Sequence, residues 1–110
     1  MNVTLKNNRI LYDGEEVGFV EYNTNTLVNI EIKEQHRRKG IATEALKIML
    51  ERMQHDGYEK AKTTTVVSVE MENLLREKLN FSPVIVEEVI DENEDGEPLT
   101  REKKQWEYEF

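Results

Sequence analysis

The chain contains no cysteine. That excludes disulfides, thiolate metal sites and cysteine nucleophiles, and it leaves thiol usage silent on the redox compartment. No apolar run approaches the roughly 20 residues that span a bilayer, and the start, MNVTLKNNRI, lacks the apolar stretch of a secretory leader. The expectation is a cytoplasmic protein with no membrane partner. There is no internal repeat. The two histidines, His36 and His55, are too few and too far apart to argue a metal site, so no metal is expected. A length of 110 residues suffices for one core of two packed layers but not for two cores, so residues 1 to 110 are expected to form a single domain.

What is present is charge, unevenly placed. The formal net charge of -8 disfavours nucleic acid and anionic membranes and favours cationic partners. Glu87, Glu88, Asp91, Glu92, Glu94, Asp95 and Glu97 crowd one segment, and residues 91 to 98 are expected to be a solvated acidic loop. Lys33, Arg37, Arg38 and Lys39 surround Glu34 and make a compact basic spot on an otherwise acidic chain. That is the mark of an anion site.

The N-terminal third reads as antiparallel strands joined by tight turns. Val3 and Leu5 alternate with polar residues, Asn7-Asn8 turns, and residues 9 to 12 form a short strand. Asp13-Gly14 is a hairpin signal because a type I′ turn needs positive φ at both central positions. Residues 16 to 22 return, 23 to 25 turn again, and 27 to 32 follow with Val28, Ile30 and Ile32 expected on one face. From Gly40 the period becomes helical through Ala42, Ala45, Leu46, Met49, Leu50 and Met53, and Gly57 supplies the left-handed stop. Residues 60 to 67 read as a strand. Ser68 N-caps a second helix with Met71, Leu74, Leu75 and Leu79 inward, and Asn80 ends it. Residues 84 to 90 and 105 to 110 are expected as the last strands, with Trp106, Tyr108 and Phe110 on one face. The order β-β-β-β-α-β-α-β-β defines an α/β (α+β) mixture on a mostly antiparallel sheet, with one parallel right-handed crossover through the first helix.

The chemistry is concentrated where the strand ending at Ile32 runs through IKEQHRRKGIAT into the first helix. The first N–H groups of a helix lack internal partners and the dipole is positive there, so a phosphate fits that end. Gly40 removes a Cβ from the approach, Ala42 stays small, and Arg37, Arg38 and Lys39 add positive charge. A ligand held by its phosphates at this point is free to lie along the edge of the preceding strand.

This stretch resembles the Gln/Arg-x-x-Gly-x-Gly/Ala signature of the GNAT superfamily of acyl-CoA-dependent N-acetyltransferases, with Arg37 first, Gly40 in the middle and Ala42 last. A second segment, Leu75-Arg76-Glu77-Lys78-Leu79-Asn80-Phe81, is similar to that family's Leu-Tyr-x-Lys-x-Gly-Phe. The resemblance covers roughly residues 9 to 110 and implies a shortened form without the two helices that usually follow the first strand. One side of the sheet is then left more open, to a macromolecular substrate or to a partner subunit such as a second copy. By position, the resemblance implies that Arg37, Arg38, Lys39, Gly40, Ile41, Ala42 and Thr43 meet the pyrophosphate of acetyl-CoA. Ile30 and Ile32 offer main-chain groups to its pantetheine arm and acetyl carbonyl.

Three departures bear on mechanism. The tyrosine that often protonates the leaving thiolate falls at Arg76, the asparagine that often opens the segment falls at Val69, and the glutamate some members carry falls near Thr64. Asn73, one helical turn beyond Val69, is the candidate substitute for the asparagine. Glu31, beside the implied acetyl position, is the candidate base; it also fits a solvent-facing strand position, and Glu21 is a second choice. Tyr12, Tyr22, Tyr58 and Tyr108 are candidates for a missing acid, although aromatic residues at strand spacing are more often core or rim packing. The resemblance implies direct transfer of acetyl to a primary amine, a cationic small molecule or a protein. Two rivals are a coenzyme-binding or protein-binding module without turnover and a nucleic-acid-associated protein, the latter opposed by the net charge.

Overall fold

In a computed structural model that describes residues 2 to 64 and 68 to 110, the N-terminal third is a meander cornered by left-handed residues. Strands β1 (Val3–Lys6), β2 (Arg9–Tyr12), β3 (Glu15–Asn23) and β4 (Thr26–Ile32) follow one another antiparallel. Asn7 (φ 57), Asp13 (φ 50) with Gly14 (φ 85), and Thr24 (φ 51) make the three turns. Positive φ at both Asp13 and Gly14 is the type I′ geometry whose twist matches the flanking strands.

Helix α1 (Ile41–His55) buries Ile41, Ala45, Leu46, Met49, Leu50 and Met53, the stripe expected of a helix packed on one face. It stops at Gly57 (φ 92), where Tyr58 N–H reaches Met53 C=O (3.2 Å) and Gly57 N–H reaches Gln54 C=O (3.1 Å). That pair of bonds is a Schellman cap. Arg52 ties the helix to the first turn by donating to the carbonyls of Leu5 and Asn7.

The chain continues through β5 (Lys60–Thr63), α2 (Val69–Asn73), a π-helical turn at Leu74–Lys78, β6 (Ser82–Glu92) and β7 (Pro98–Glu109). The seven strands form one sheet in the order β1-β2-β3-β4-β5-β7-β6, and β4 with β5 is its parallel pair. Ile10, Val17, Val20, Leu27, Ile32, Ala61 and Trp106 belong to the same buried cluster as the apolar stripe of α1 and Leu75, Leu79 and Phe81. The opposite face of the sheet is mainly polar: it carries Glu21, Glu31 and Asn29, with Lys60 3.7 Å from Glu107, and an exposed Phe19 opposite Glu31.

Four expectations are corrected or narrowed. Val28 does not share a face with Ile30 and Ile32. The register jumps from Glu21↔Asn29 to Tyr22↔Leu27, so Val28 is the extra residue of a β-bulge and Leu27 takes the core position. The strand expected over 60 to 67 is β5 at Lys60–Thr63, and residues 65 to 67 lie outside the described residues. The second helix is a short α-helix capped by Ser68, whose Oγ accepts from Met71 N–H at 3.3 Å, and it widens into the π turn, where Leu79 N–H bonds Leu74 C=O at 3.2 Å. Asn80 ends it at φ 61 as expected.

The fourth correction concerns the acidic segment. Most of it is strand: β6 runs to Glu92, β7 begins at Pro98 rather than at Gln105, and only the tip turns. There Asn93 Oδ1 accepts from Asp95 N–H (3.0 Å) and Glu97 N–H (2.9 Å). The strand was hidden in the sequence because residues 99 to 104 are exposed or half-exposed and carry no apolar alternation. The resulting ribbon extends the molecule to 59 × 33 × 25 Å with a radius of gyration of 16.3 Å, against about 13 Å for a compact chain of this length. Along it Glu88 accepts a bond from Arg101 Nε (3.0 Å) and lies 3.8 Å from Lys103 Nζ. The Arg101 bond, then the Lys103 charge, holds its carboxyl below the ordinary carboxylate range.

At the root of the ribbon Trp106 is fully buried, with the Arg76 guanidinium 5.2 Å and Lys104 Nζ 5.7 Å from its ring centroid. Its backbone N–H donates to Thr63 Oγ1 at 3.1 Å, one step past the last β5–β7 register pair. Phe81, Tyr108 and Phe110 stack beside it at successive centroid distances of 5.4 Å.

Gly18 lets β3 and β4 close where β4 ends, because a Cβ there would stand 2.1 Å from the Glu31 carbonyl oxygen and 3.0 Å from Ile32 Cα. Both neighbours are backbone and cannot rotate away. Gly18→Ala is therefore expected to destabilise the protein by about 1–3 kcal/mol, the usual range for overpacking, measured by denaturant unfolding. Unchanged stability would show that the two strands have slack at this point.

Candidate active site

The site lies along β4, between that strand and the elements that follow it. Among the described residues, β4 pairs with β5 at Thr26↔Lys62 and Leu27↔Thr63. Past that point Thr64 N–H takes the Leu27 carbonyl (3.0 Å) and Thr64 Oγ1 takes the Val28 carbonyl (3.3 Å). The bulge at Val28 aims two successive carbonyls at Thr64, the residue that follows β5. A cleft of about 880 Å³ fills the opening between β4, the start of α1, β5 and α2 with its π turn.

The ladder fixes which main-chain groups face this cleft. Val20 sends its N–H outward to the Asn8 carbonyl (2.9 Å), so the pair Val20↔Ile30 is of the type that exchanges no hydrogen bonds across β3 and β4. The N–H and C=O of Ile30 therefore point away from β3, toward the cleft, and those of Ile32 follow two residues on. Arg37 Nε donates to the Ile32 carbonyl at 2.9 Å, which ties the turn back to the strand it leaves.

Between that tie and the helix the backbone alternates in hand. Arg38 (φ 64) and Gly40 (φ 78) are left-handed, and Lys39 between them is not. Alternation of this kind gathers successive N–H groups into an anion-binding concavity. Gly40 occupies the N-cap of α1 and has no side chain to cap it, so the N–H groups of Ile41, Ala42 and Thr43 are left for another acceptor. The dipole of a fifteen-residue helix points its positive end at the same place.

Of the residues singled out in the sequence, Ile30, Glu31, Ile32, Arg37, Arg38, Gly40, Ile41, Ala42, Thr43 and Asn73 all line the cleft. Lys39 is exposed and does not. Ile41 lines it while 1% exposed, so its side chain belongs to the core. Glu21 is outside. None of Tyr12, Tyr22, Tyr58 and Tyr108 lines the cleft, and Arg76 lies over Trp106 rather than in the cleft.

Sequence reasoning missed His36, Ser68, Glu70, Glu77 and Lys78, which also line the cleft. Lys78 stands at the lysine of the second segment's pattern, a signal that was available. His36 carries a buried Nδ1 without a hydrogen-bond partner among the described residues, and no pattern marked it. No group of acidic, histidine or cysteine residues suited to a metal is found among the described residues, and no helix there is long and apolar enough to cross a membrane.

This geometry agrees with the comparisons. The family model described as acetyltransferase (GNAT) family matches residues 5 to 81. The chain belongs to the GNAT acetyltransferase family, whose common chemistry is acetyl transfer. Among solved structures, a GNAT family acetyltransferase from Elizabethkingia anophelis with acetyl-CoA bound is 21% identical; the match covers 93% of this chain and 74% of that one, with a TM-score of 0.63. An IAA acetyltransferase from Bacillus cereus is 21% identical over 93% and 75%, with a TM-score of 0.65. The Drosophila melanogaster polyamine N acetyltransferase is 9% identical over 93% and 73%, with a TM-score of 0.67. At these identities the likeness is one of fold. No curated protein matches the chain.

The bond from Arg37 to the Ile32 carbonyl gives this side chain a structural task. Arg37→Ala is expected to lower unfolding stability by about 1 kcal/mol, the typical worth of one such bond, measured by denaturant titration. An unchanged midpoint would remove the tie from the description of the turn.

Proposed function

We propose that this protein is an N-acetyltransferase that moves acetyl from acetyl-CoA directly to a primary amine, with both substrates bound together on the single domain formed by residues 1 to 110. The observation that carries the reading is the continuous track from the outward main chain of Ile30 and Ile32 into the alternating turn that opens α1. Family membership, and the acetyl-CoA bound to the Elizabethkingia relative, support it.

In this reading the N–H groups of Ile41, Ala42 and Thr43 receive the pyrophosphate, with Arg37, Arg38 and Lys39 supplying positive charge around it. The pantetheine arm lies along β4, bonded to the main chain of Ile30 and Ile32. Asn73 holds it from the opposite wall. The amine attacks the thioester carbonyl, main-chain N–H at Ile32 stabilises the oxygen as it gains charge, and coenzyme A departs as the thiolate or thiol. With the track fixed on rigid elements, much of the acceleration comes from holding the reactants in line. An amine with a pKa of about 10.4 is protonated at neutral pH, and Glu31, exposed on β4 at the cleft, takes that proton directly or through water. The net charge of -8 favours an acceptor that arrives as a cation. The compartment consistent with this chemistry is the cytoplasm.

A second reading is a module that binds acetyl-CoA without turnover. It is favoured by one observation: no tyrosine lines the cleft, and Arg76, at the tyrosine's place, is engaged with Trp106.

Calorimetry and a coenzyme A release assay across a panel of primary amines separate the two. Wild type is expected to bind acetyl-CoA and release coenzyme A with at least one amine. Gly40→Glu, which puts a carboxylate into the anion turn, should weaken acetyl-CoA binding by more than about tenfold, or 1.4 kcal/mol. Arg38→Glu gives the same test without changing a glycine. Equal affinity in all three proteins overturns the site; binding without release by any amine selects the second reading.

For Glu31 the expected signature is in the pH profile. Glu31→Gln should depress the rate most at neutral pH and least at alkaline pH, where free amine is abundant. A profile parallel to wild type across the range would return Glu31 to a solvent-facing strand position.

A further inference from the structure

Strand β6 ends the sheet, and among the described residues its only strand partner is β7. Half of the backbone N–H and C=O groups of an eleven-residue strand therefore face outward along one free edge. Proteins blunt such edges by keeping them short, by charged side chains, lysine above all, by proline, or by bulges. The charges in the middle of β6 are the carboxylates of Glu87 and Glu88, which repel acidic strands and attract cationic ones. Here Pro83 guards only the base and the bulge between Val89 and Asp91 only the tip, and no lysine or arginine lies in β6. The stretch from Val84 to Val89 between them is a regular template.

Its side chains are specific about what they lack. On the face that carries Trp106 the cross-strand rows run Ile85↔Lys104, Glu87↔Glu102 and Val89↔Thr100. Ile85 is 58% exposed and Val89 64%. Between them Glu87 stands directly opposite Glu102, a like-charge pair that works against the ribbon. The cations of β7 do not answer it: Arg101 and Lys103 hold Glu88 on the reverse face, and Lys104 lies 3.5 Å from Glu72. Neither Glu87 nor Glu102 has an ion-pair partner among the described residues. The open side of this row is the free edge itself.

We propose that the β6 edge accepts an extended cationic peptide as an additional strand, with lysine or arginine opposite Glu87 and apolar residues two positions away on either side, opposite Ile85 and Val89. The peptide main chain meets the free edge, its central cation sits beside the unanswered Glu87–Glu102 row, and its flanking apolar side chains cover the exposed Ile85 and Val89. A second copy of β6 is the wrong occupant: it would bring Glu87, Glu88, Asp91 and Glu92 against the same residues, with no basic residue to offset them. The inference does not depend on acetyl transfer, since no residue of β6 or β7 lines the cleft.

The test uses fluorescence anisotropy on the full chain at low ionic strength with a dye-labelled peptide, Thr-Val-Thr-Lys-Thr-Val-Thr, and a version with glutamate for lysine. Wild type is expected to prefer the lysine peptide by about tenfold, and E87K, an exposed change checked for folding by circular dichroism, to invert the preference. N-methylation of alternate peptide nitrogens should abolish binding, which separates strand addition from charge attraction. Amide exchange in β6 should slow with the lysine peptide present. No saturable binding, an unaltered preference in E87K, or undiminished binding of the methylated peptide would each overturn the proposal. So would sedimentation as a dimer that the peptide cannot dissociate.

Discussion

The β-bulge at Val28 is the constraint on which the arrangement around the cleft depends. Among the described residues the parallel pair holds Thr26↔Lys62 and Leu27↔Thr63, and the bulge at Val28 then brings two successive carbonyls to Thr64. On the core side the same bulge moves Leu27 inward and lets Ile32 keep its buried position. On the open side it frees the main chain of Ile30 and Ile32. One extra residue in a strand thus sets both how the core closes and where a ligand can lie.

The turn into α1 was legible in the sequence because its demands are chemical. Left-handed backbone favours glycine, an uncapped helix start favours an anion, and Arg37 to Lys39 crowd the same place. The Asp13-Gly14 hairpin, the Gly57 stop, the Ser68 cap and the Asn80 terminus were legible for the same reason. The Val28 bulge was not, since Val28, Ile30 and Ile32 alternate as well as any unbroken strand does. The π turn was hidden because Leu74, Leu75 and Leu79 satisfy an α-helical stripe almost equally well. The ribbon was hidden for the opposite reason: a strand exposed on both faces has no buried side to impose a period, and its charges read as loop.

The face of the sheet away from α1 and α2 qualifies the expectation of an open side. Glu21, Glu31, Asn29, Lys60 and Glu107 make it mainly polar, with Phe19 opposite Glu31 as an exposed apolar side chain and one ion pair between Lys60 and Glu107. A surface of that composition is at equilibrium with water and does not require a covering layer. Among the described residues the sheet therefore carries its helices on one face, and the cleft opens between β4 and the start of α1.

The burial of Trp106 has an optical consequence. It is the only tryptophan in the chain, and it sits where β7 leaves the body, enclosed by Arg76, Lys104 and the hydroxyl-bonded end of β5. Its emission therefore reports a single location: the junction between the body, which holds the cleft, and the projecting ribbon. Any event that shifts the ribbon's root relative to α2 changes the polarity around one indole and nowhere else, so the intrinsic fluorescence of the unmodified protein is a one-site gauge of that junction.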